Sequence, residues 1–282
     1  MISKLVSAIK ENNLNIYSIA IRDGGGIQTA QLLPANRCNN SYSVAKAFTM
    51  TAIGMLYDMK KLDINDKVFD ILRDEFKDKY DKNWESVTLD NVLKHKVGFD
   101  SGFLDIDVED ITGYKTDDFL HIVLSRPLPF PPGERFVYSD AAYYLLSRIV
   151  TKISGKKLDS FLRSALFGTL GFKELAWSRC PHGYPMGATG LYISSADMAK
   201  LGYVYANGGQ YNGKTVVSEE WVALALNRGY EFGQYKDTGV YAKGGMNGQM
   251  LCFSVNNHTS CAWHGYEPHK DVSVILKRFS QL

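Results

Sequence analysis

The chain has little in it that would staple, anchor or steer it. Its four cysteines, Cys38, Cys180, Cys252 and Cys261, stand at irregular spacings with no C-x-x-C among 282 residues. That excludes a disulfide-stapled mini-fold and leaves no zinc or redox signature. Cys252 and Cys261 are placed to face each other on neighbouring strands, and a reducing compartment would keep them as thiols. No apolar run reaches the ~20 residues a membrane span needs. The amino terminus, Met1 to Val6, runs into Lys10 and Glu11 without the apolar core of a secretory signal, so a soluble, cytoplasmic protein is expected. Charge of one sign is also lacking: 32 basic against 30 acidic residues leave +2, and the basic residues are scattered. Neither a nucleic-acid partner nor a membrane span is expected.

What is present is ordinary globular material, with 45% hydrophobic and 22% charged residues, enough for a large buried core. Helical spacing over 2–12 precedes a strand at 15–21, and Asp23-Gly24-Gly25-Gly26 reads as hairpin punctuation before a second strand at 27–33. No Gly-Lys-Ser/Thr follows those glycines, so they are not read as a phosphate loop. A helix apolar around most of its circumference is expected over 44–61, then shorter helices near 65–72, 88–96, 117–125 and 140–154. Helices at 195–206 and 218–227 lead to a β-rich stretch at 240–266 and a final helix near 269–280. The pattern predicts an α/β (α+β) chain of one domain, 1–282, with two sub-lobes. Residues 1–60 and 185–282 supply a sheet and flanking helices, and 61–184 supply a mostly helical lobe.

Ser43 and Lys46 fall three residues apart at the start of the 44–61 helix, where the lysine can reach the serine oxygen. Backbone N–H groups and the positive end of the macrodipole there favour a developing oxyanion. The same S-x-x-K spacing recurs at Ser7 to Lys10 and Ser154 to Lys157, in surface-helix and helix-end contexts. On spacing and context alone, Ser43 is either a nucleophile or a helix cap.

Two distant segments bear on that choice: Tyr138-Ser139-Asp140 after a Pro-Gly loop, and Lys243-Gly244-Gly245 entering a strand. In the order S-x-x-K, Y-S-D, K-G-G, the chain resembles the serine β-lactamase and penicillin-binding protein superfamily, nearest its class C β-lactamase and DD-peptidase branch. Leu93 to Gly98, Pro132-Gly133 with Tyr138-Ser139, and Gly187 to Tyr192 with Asp197 resemble further family segments, so the likeness spans about residues 15 to 280. The resemblance implies a β-lactamase/transpeptidase-like fold, an antiparallel sheet flanked by helices plus a helical lobe, with the active site in the cleft between them. It implies Ser43 as the acylated nucleophile, Lys46 as its proton acceptor, Tyr138 as a second acid/base group and Lys243 as a facing cation. The backbone N–H groups of Ser43 and Met246 would form the oxyanion hole, and Asp140, Gly244 and Gly245 would line the substrate. Free tyrosine and lysine titrate near ~10 and ~10.4. Neither is a base at pH 7 unperturbed, so the relay is assigned to Lys46 and Tyr138 as one coupled unit.

The chain departs from the family at two positions. Asp140 stands where an amide is usual and, ionised, can only accept hydrogen bonds; it can pair with Lys46 instead. Gly244 stands where a hydroxyl is usual, removing a donor for a substrate carboxylate. Both changes favour a related esterase, amidase or peptidase acting on a small-molecule or peptide substrate, with no cofactor and no metal. The alternative is a binding or sensor protein that keeps the fold without turnover. His258, His264 and His269 match no metal-site spacing and are read as surface or strand histidines. The resemblance places His95 in a structural loop.

Overall fold

The computed structural model describes residues 1–77 and 79–282. The chain falls into two units, Met1–Val44 with Leu166–Ala176 and Leu191–Leu282, and Ala45–Ala165 with Trp177–Gly190.

In the first unit, Asp23 pairs with Gly26 across a two-residue turn, its carboxylate accepting from the Gly25 N–H at 2.9 Å. The strands so joined, Ile16–Asp23 and Gly26–Gln31, begin a six-stranded sheet. Its order continues through Thr259–Gly265, Gln249–Ser254, Val240–Gly245 and Gly233–Tyr235, every neighbour antiparallel. Residues opposite each other share a face, so Ile19 with Trp263, Ile21 with Cys261, and Cys261 with Cys252 project together. This face is closed by Leu5 and Ile9 of the helix Ile2–Glu11 and by Ile275 and Phe279 of the helix Ser273–Phe279. Burying each such side chain contributes about 1.5–3 kcal/mol. Cys252 and Cys261 lie there as buried free thiols.

The opposite face carries Ala20, Ala262, Leu251 and Lys243 in register. The helix Ser195–Ala206 packs on it closely: a Cβ on Gly202 would sit 2.8 Å from a Leu251 methyl, and Ser260 Oγ donates to the Ala199 carbonyl at 2.6 Å. Small residues on both elements permit that approach.

In the second unit, the helices Ala45–Asp58 and Asp140–Ser154 pack together. Every residue from Ala45 to Leu56 is buried, as an all-round apolar pattern requires. This helix stops at Asp58, short of the expected 61, where Lys60 turns left-handed at φ 56°. The final helix begins at Ser273 instead of 269, because Asp271 accepts from the Ser273 N–H at 2.8 Å and from its hydroxyl at 2.7 Å, which fixes a turn there. Among the described residues no helix is long and apolar enough to cross a membrane.

Candidate active site

In the first unit the Ser43 turn is tied down before the helix starts. Asn39 and Asn40 pair with Ile193 and Tyr192, and Ser41 bonds the Leu191 carbonyl through both its N–H (2.9 Å) and its hydroxyl (2.8 Å). Asn40 Oδ1 accepts the Tyr42 N–H at 2.9 Å and holds Tyr42 at φ 47°. A non-glycine residue there costs about 1–2 kcal/mol. The 3-10 turn Tyr42–Val44 follows, leaving Ser43 half-buried, and runs directly into the helix Ala45–Asp58.

The strand Val240–Gly245 packs against that turn. A Cβ on Gly245 would lie 2.5 Å from the Ser41 carbonyl oxygen and 3.3 Å from Tyr42 Cβ, so only glycine fits. Lys243, two residues earlier, forms an ion pair with Glu231, both side chains being largely withdrawn from water. Met246 is exposed at the start of the 3-10 turn Met246–Gly248. Gln249 anchors this turn: its Nε2 donates to the Gly265 carbonyl at 2.5 Å, and its Oε1 accepts from the Gly265 N–H at 3.2 Å. The same Oε1 faces His264 Nδ1 at 2.8 Å, which assigns the proton of the neutral ring to Nδ1. Burial pushes the pKa of His264 down to about 4.

In the second unit Lys46 is fully buried, which demands partners. Its Nζ donates to Asp140 Oδ1 at 2.6 Å and to the Ala188 carbonyl at 3.1 Å, and lies 4.7 Å from the Tyr138 ring centre. Asp140 opens the helix Asp140–Ser154, whose dipole favours an anion. Burial nevertheless raises its carboxyl above the ordinary aspartate value, against the opposing pull of Lys46. Tyr138 is exposed on one side, while its ring rests 4.4 Å from the His95 ring. His95 Nδ1 accepts the Ser139 N–H at 3.2 Å and the His95 carbonyl accepts the Val137 N–H at 2.8 Å, so this histidine props the Tyr138 segment from both sides.

Two further acids join this group. Single carboxylate oxygens of Asp105, Asp107 and Asp140 lie within 4.8 Å of one another. Asp107 accepts from the Thr189 hydroxyl, and burial raises the Asp105 carboxyl. This is the donor set among the described residues that could hold a cation, and the Lys46 ammonium already sits on its Asp140 member.

A model of the Beta-lactamase family matches residues 18–265. The chain belongs to the β-lactamase family. An N-acetylmuramyl-L-alanine amidase of Bacillus subtilis (strain 168) is 30% identical over 142 residues, which make up 48% of this chain and 32% of that protein. The chain thus spans about a third of that relative, and it spans 65% of others matched at 22% identity. Among solved structures, a family VIII carboxylesterase superposes with TM-score 0.77 at 15% identity, covering 99% of this chain and 97% of that one. A penicillin binding protein from Bacillus halodurans gives TM-score 0.72 at 17% identity, with 98% of both chains covered. The β-lactamase-like sheet-and-helix fold that the sequence resemblance implied is the fold observed, and the family is one of hydrolases.

Within this β-lactamase-family chain, Ser43, Lys243, Gly244, Gly245 and Met246 fall in the first unit, and Lys46, Tyr138 and Asp140 in the second. The division comes between Val44 and Ala45, so the Ser43 to Lys46 spacing is fixed by the chain itself. The structure brings Lys46, Tyr138 and Asp140 together in one unit and sets the Lys243 strand beside the Ser43 turn in the other. Sequence reasoning missed Glu231, Asp105 and Asp107. The alternation Asp105-Ile106-Asp107 was the one available signal; Glu231 had none.

Proposed function

We propose that this protein is a serine hydrolase that cleaves an ester or amide through an acyl-enzyme on Ser43. The observation that carries the reading is the buried Lys46–Asp140 ion pair beside the Tyr138 ring. An ammonium taken wholly out of water is costly. Its place three residues after a half-buried serine supports a chemical purpose. An anion 2.6 Å away favours the charged form of Lys46. This supports Tyr138 as the proton acceptor and Lys46 as the cation beside its ring. Ser43 Oγ attacks the carbonyl carbon as its proton passes to Tyr138. The N–H groups of Ser43 and Met246 receive the oxyanion, worth about 3–4 kcal/mol for one such donor. The tyrosine proton then goes to the leaving alcohol or amine, and water, deprotonated in turn, frees the acyl group and restores the serine.

Mass analysis after treatment with a fluorophosphonate tests the reading. One adduct is expected on the wild type and none on Ser43→Ala; an adduct that survives the substitution refutes it. Lys46→Ala and Tyr138→Phe should each slow labelling by at least a hundredfold with folding retained. Labelling by a fluorophosphonate without labelling by a penicillin would place the protein with esterases. Absence of labelling by either would favour the binding-protein reading.

A further inference from the structure

We infer that the site rejects acyl donors bearing a carboxylate near the scissile bond, and that Glu231 is the residue that sets this preference. The inference rests on the reading of Ser43 as nucleophile. The strand that presses on the Ser43 turn carries Lys243, a cation that would otherwise attract a substrate anion. Its charge is met by Glu231, whose side chain is 1% exposed. Glu231 is not a surface acid that has swung inward. Its backbone sits at φ 54° in a tight turn closed by the Phe232 N–H on the Tyr230 carbonyl at 2.5 Å, and both flanking aromatics are buried. A left-handed, non-glycine residue between two buried anchors is held there at a cost in backbone strain. The carboxylate is thus fixed in position against Lys243.

The next residue along the strand does not replace the attraction so cancelled. Gly244 offers no side-chain donor, and crowding is not the reason: a Cβ there would meet nothing nearer than Met250 Cε at 3.7 Å. The Glu231 carboxylate therefore cancels the cation on the strand beside the Ser43 turn, which withdraws the attraction for an anionic substrate and leaves an uncharged ester or amide unaffected.

Two esters of matched length test this: 4-nitrophenyl butyrate, which is neutral, and mono-4-nitrophenyl succinate, which carries a carboxylate. The wild type should prefer the butyrate by at least a hundredfold in kcat/KM. In Glu231→Gln the succinate-to-butyrate ratio should rise at least tenfold, chiefly through KM. Equal use of both esters by the wild type, or a ratio unmoved by Glu231→Gln, overturns the inference. Should Glu231→Gln fail to fold, calorimetric titration of Ser43→Ala with the two esters reads the same preference as a ratio of Kd values. A succinate at least tenfold weaker supports the inference, and equal affinities overturn it. If Ser43→Ala instead still hydrolyses either ester, the nucleophile reading falls, while the wild-type ratio continues to judge the charge preference.

Discussion

Asp140 stands in an environment that gives it a titration signature. Burial raises its carboxyl, Lys46 and His95 pull it down, and Asp105 pushes it up again. The net direction is upward from 3.8, so Asp140 takes up a proton at a higher pH than an exposed aspartate would. Protonation removes the anion facing Lys46 and would unbalance the proposed relay. The rate of fluorophosphonate labelling should therefore fall on the acid side along a limb that lies above the ordinary aspartate range. Asp140→Asn should lose that limb and be at least tenfold slower at neutral pH. Superimposable pH profiles for the two proteins would remove Asp140 from the relay. For stability the sign is the reverse of the usual acidic residue: the raised carboxyl favours the folded state below the unfolded value and loses that contribution as pH rises through the folded one.

At the scale of elements, the strand Val240–Gly245 and the turn Tyr42–Val44 act as one part, because Gly245 lets backbone meet backbone. Gly245→Ala would drive a Cβ to 2.5 Å from the Ser41 carbonyl oxygen, and a neighbouring backbone yields only by moving the serine turn. A drop of at least a hundredfold in labelling rate is expected, with the far-ultraviolet spectrum of the fold retained. Gly244→Ala, whose new methyl would meet Met250 Cε at an ordinary contact distance of 3.7 Å, should lose much less; equal losses would show that the contact does not position Ser43. The same elements show what sequence carries. The helix Ala45–Asp58 was legible from apolar residues at helical spacing around most of its circumference, and the stretch from 240 to 266 was legible as β-rich. The left-handed Tyr42, the tight turn at Glu231 and the late start of the final helix were not. Each is set by contacts specific to its place, such as Asn40 on the Tyr42 N–H and Asp271 on the Ser273 N–H, and no periodicity encodes those. The site was legible as residue types in order. Its pairing was only partly so: Lys46 with Asp140 was open to reading from the departure at Asp140, but Glu231 with Lys243 was not.

Across the whole molecule, the sheet is completed by joining the two ends of the chain, with Ile16–Asp23 lying beside Thr259–Gly265. Such long-range pairing forms late and slowly. His264 sits within that closing strand, wholly buried, and through Gln249 it is tied to the turn that presents Met246. Its proton affinity therefore links the acid stability of the sheet to the integrity of the proposed oxyanion hole. With an unfolded value of 6.5 and a folded value of about 4, the unfolded chain binds the proton more readily between those limits. The stabilisation is complete above pH 6.5 and is lost as pH falls toward about 4, amounting to about 3 kcal/mol. Asp140 and Asp105 work in the opposite sense, so the histidine contribution is isolated by comparing His264→Gln with the wild type in urea unfolding at pH 7 and pH 4.5. The wild type should lose roughly 2–3 kcal/mol more than the variant between the two conditions. A variant with an unchanged pH slope would show that the buried ring does not govern how the sheet responds to acid.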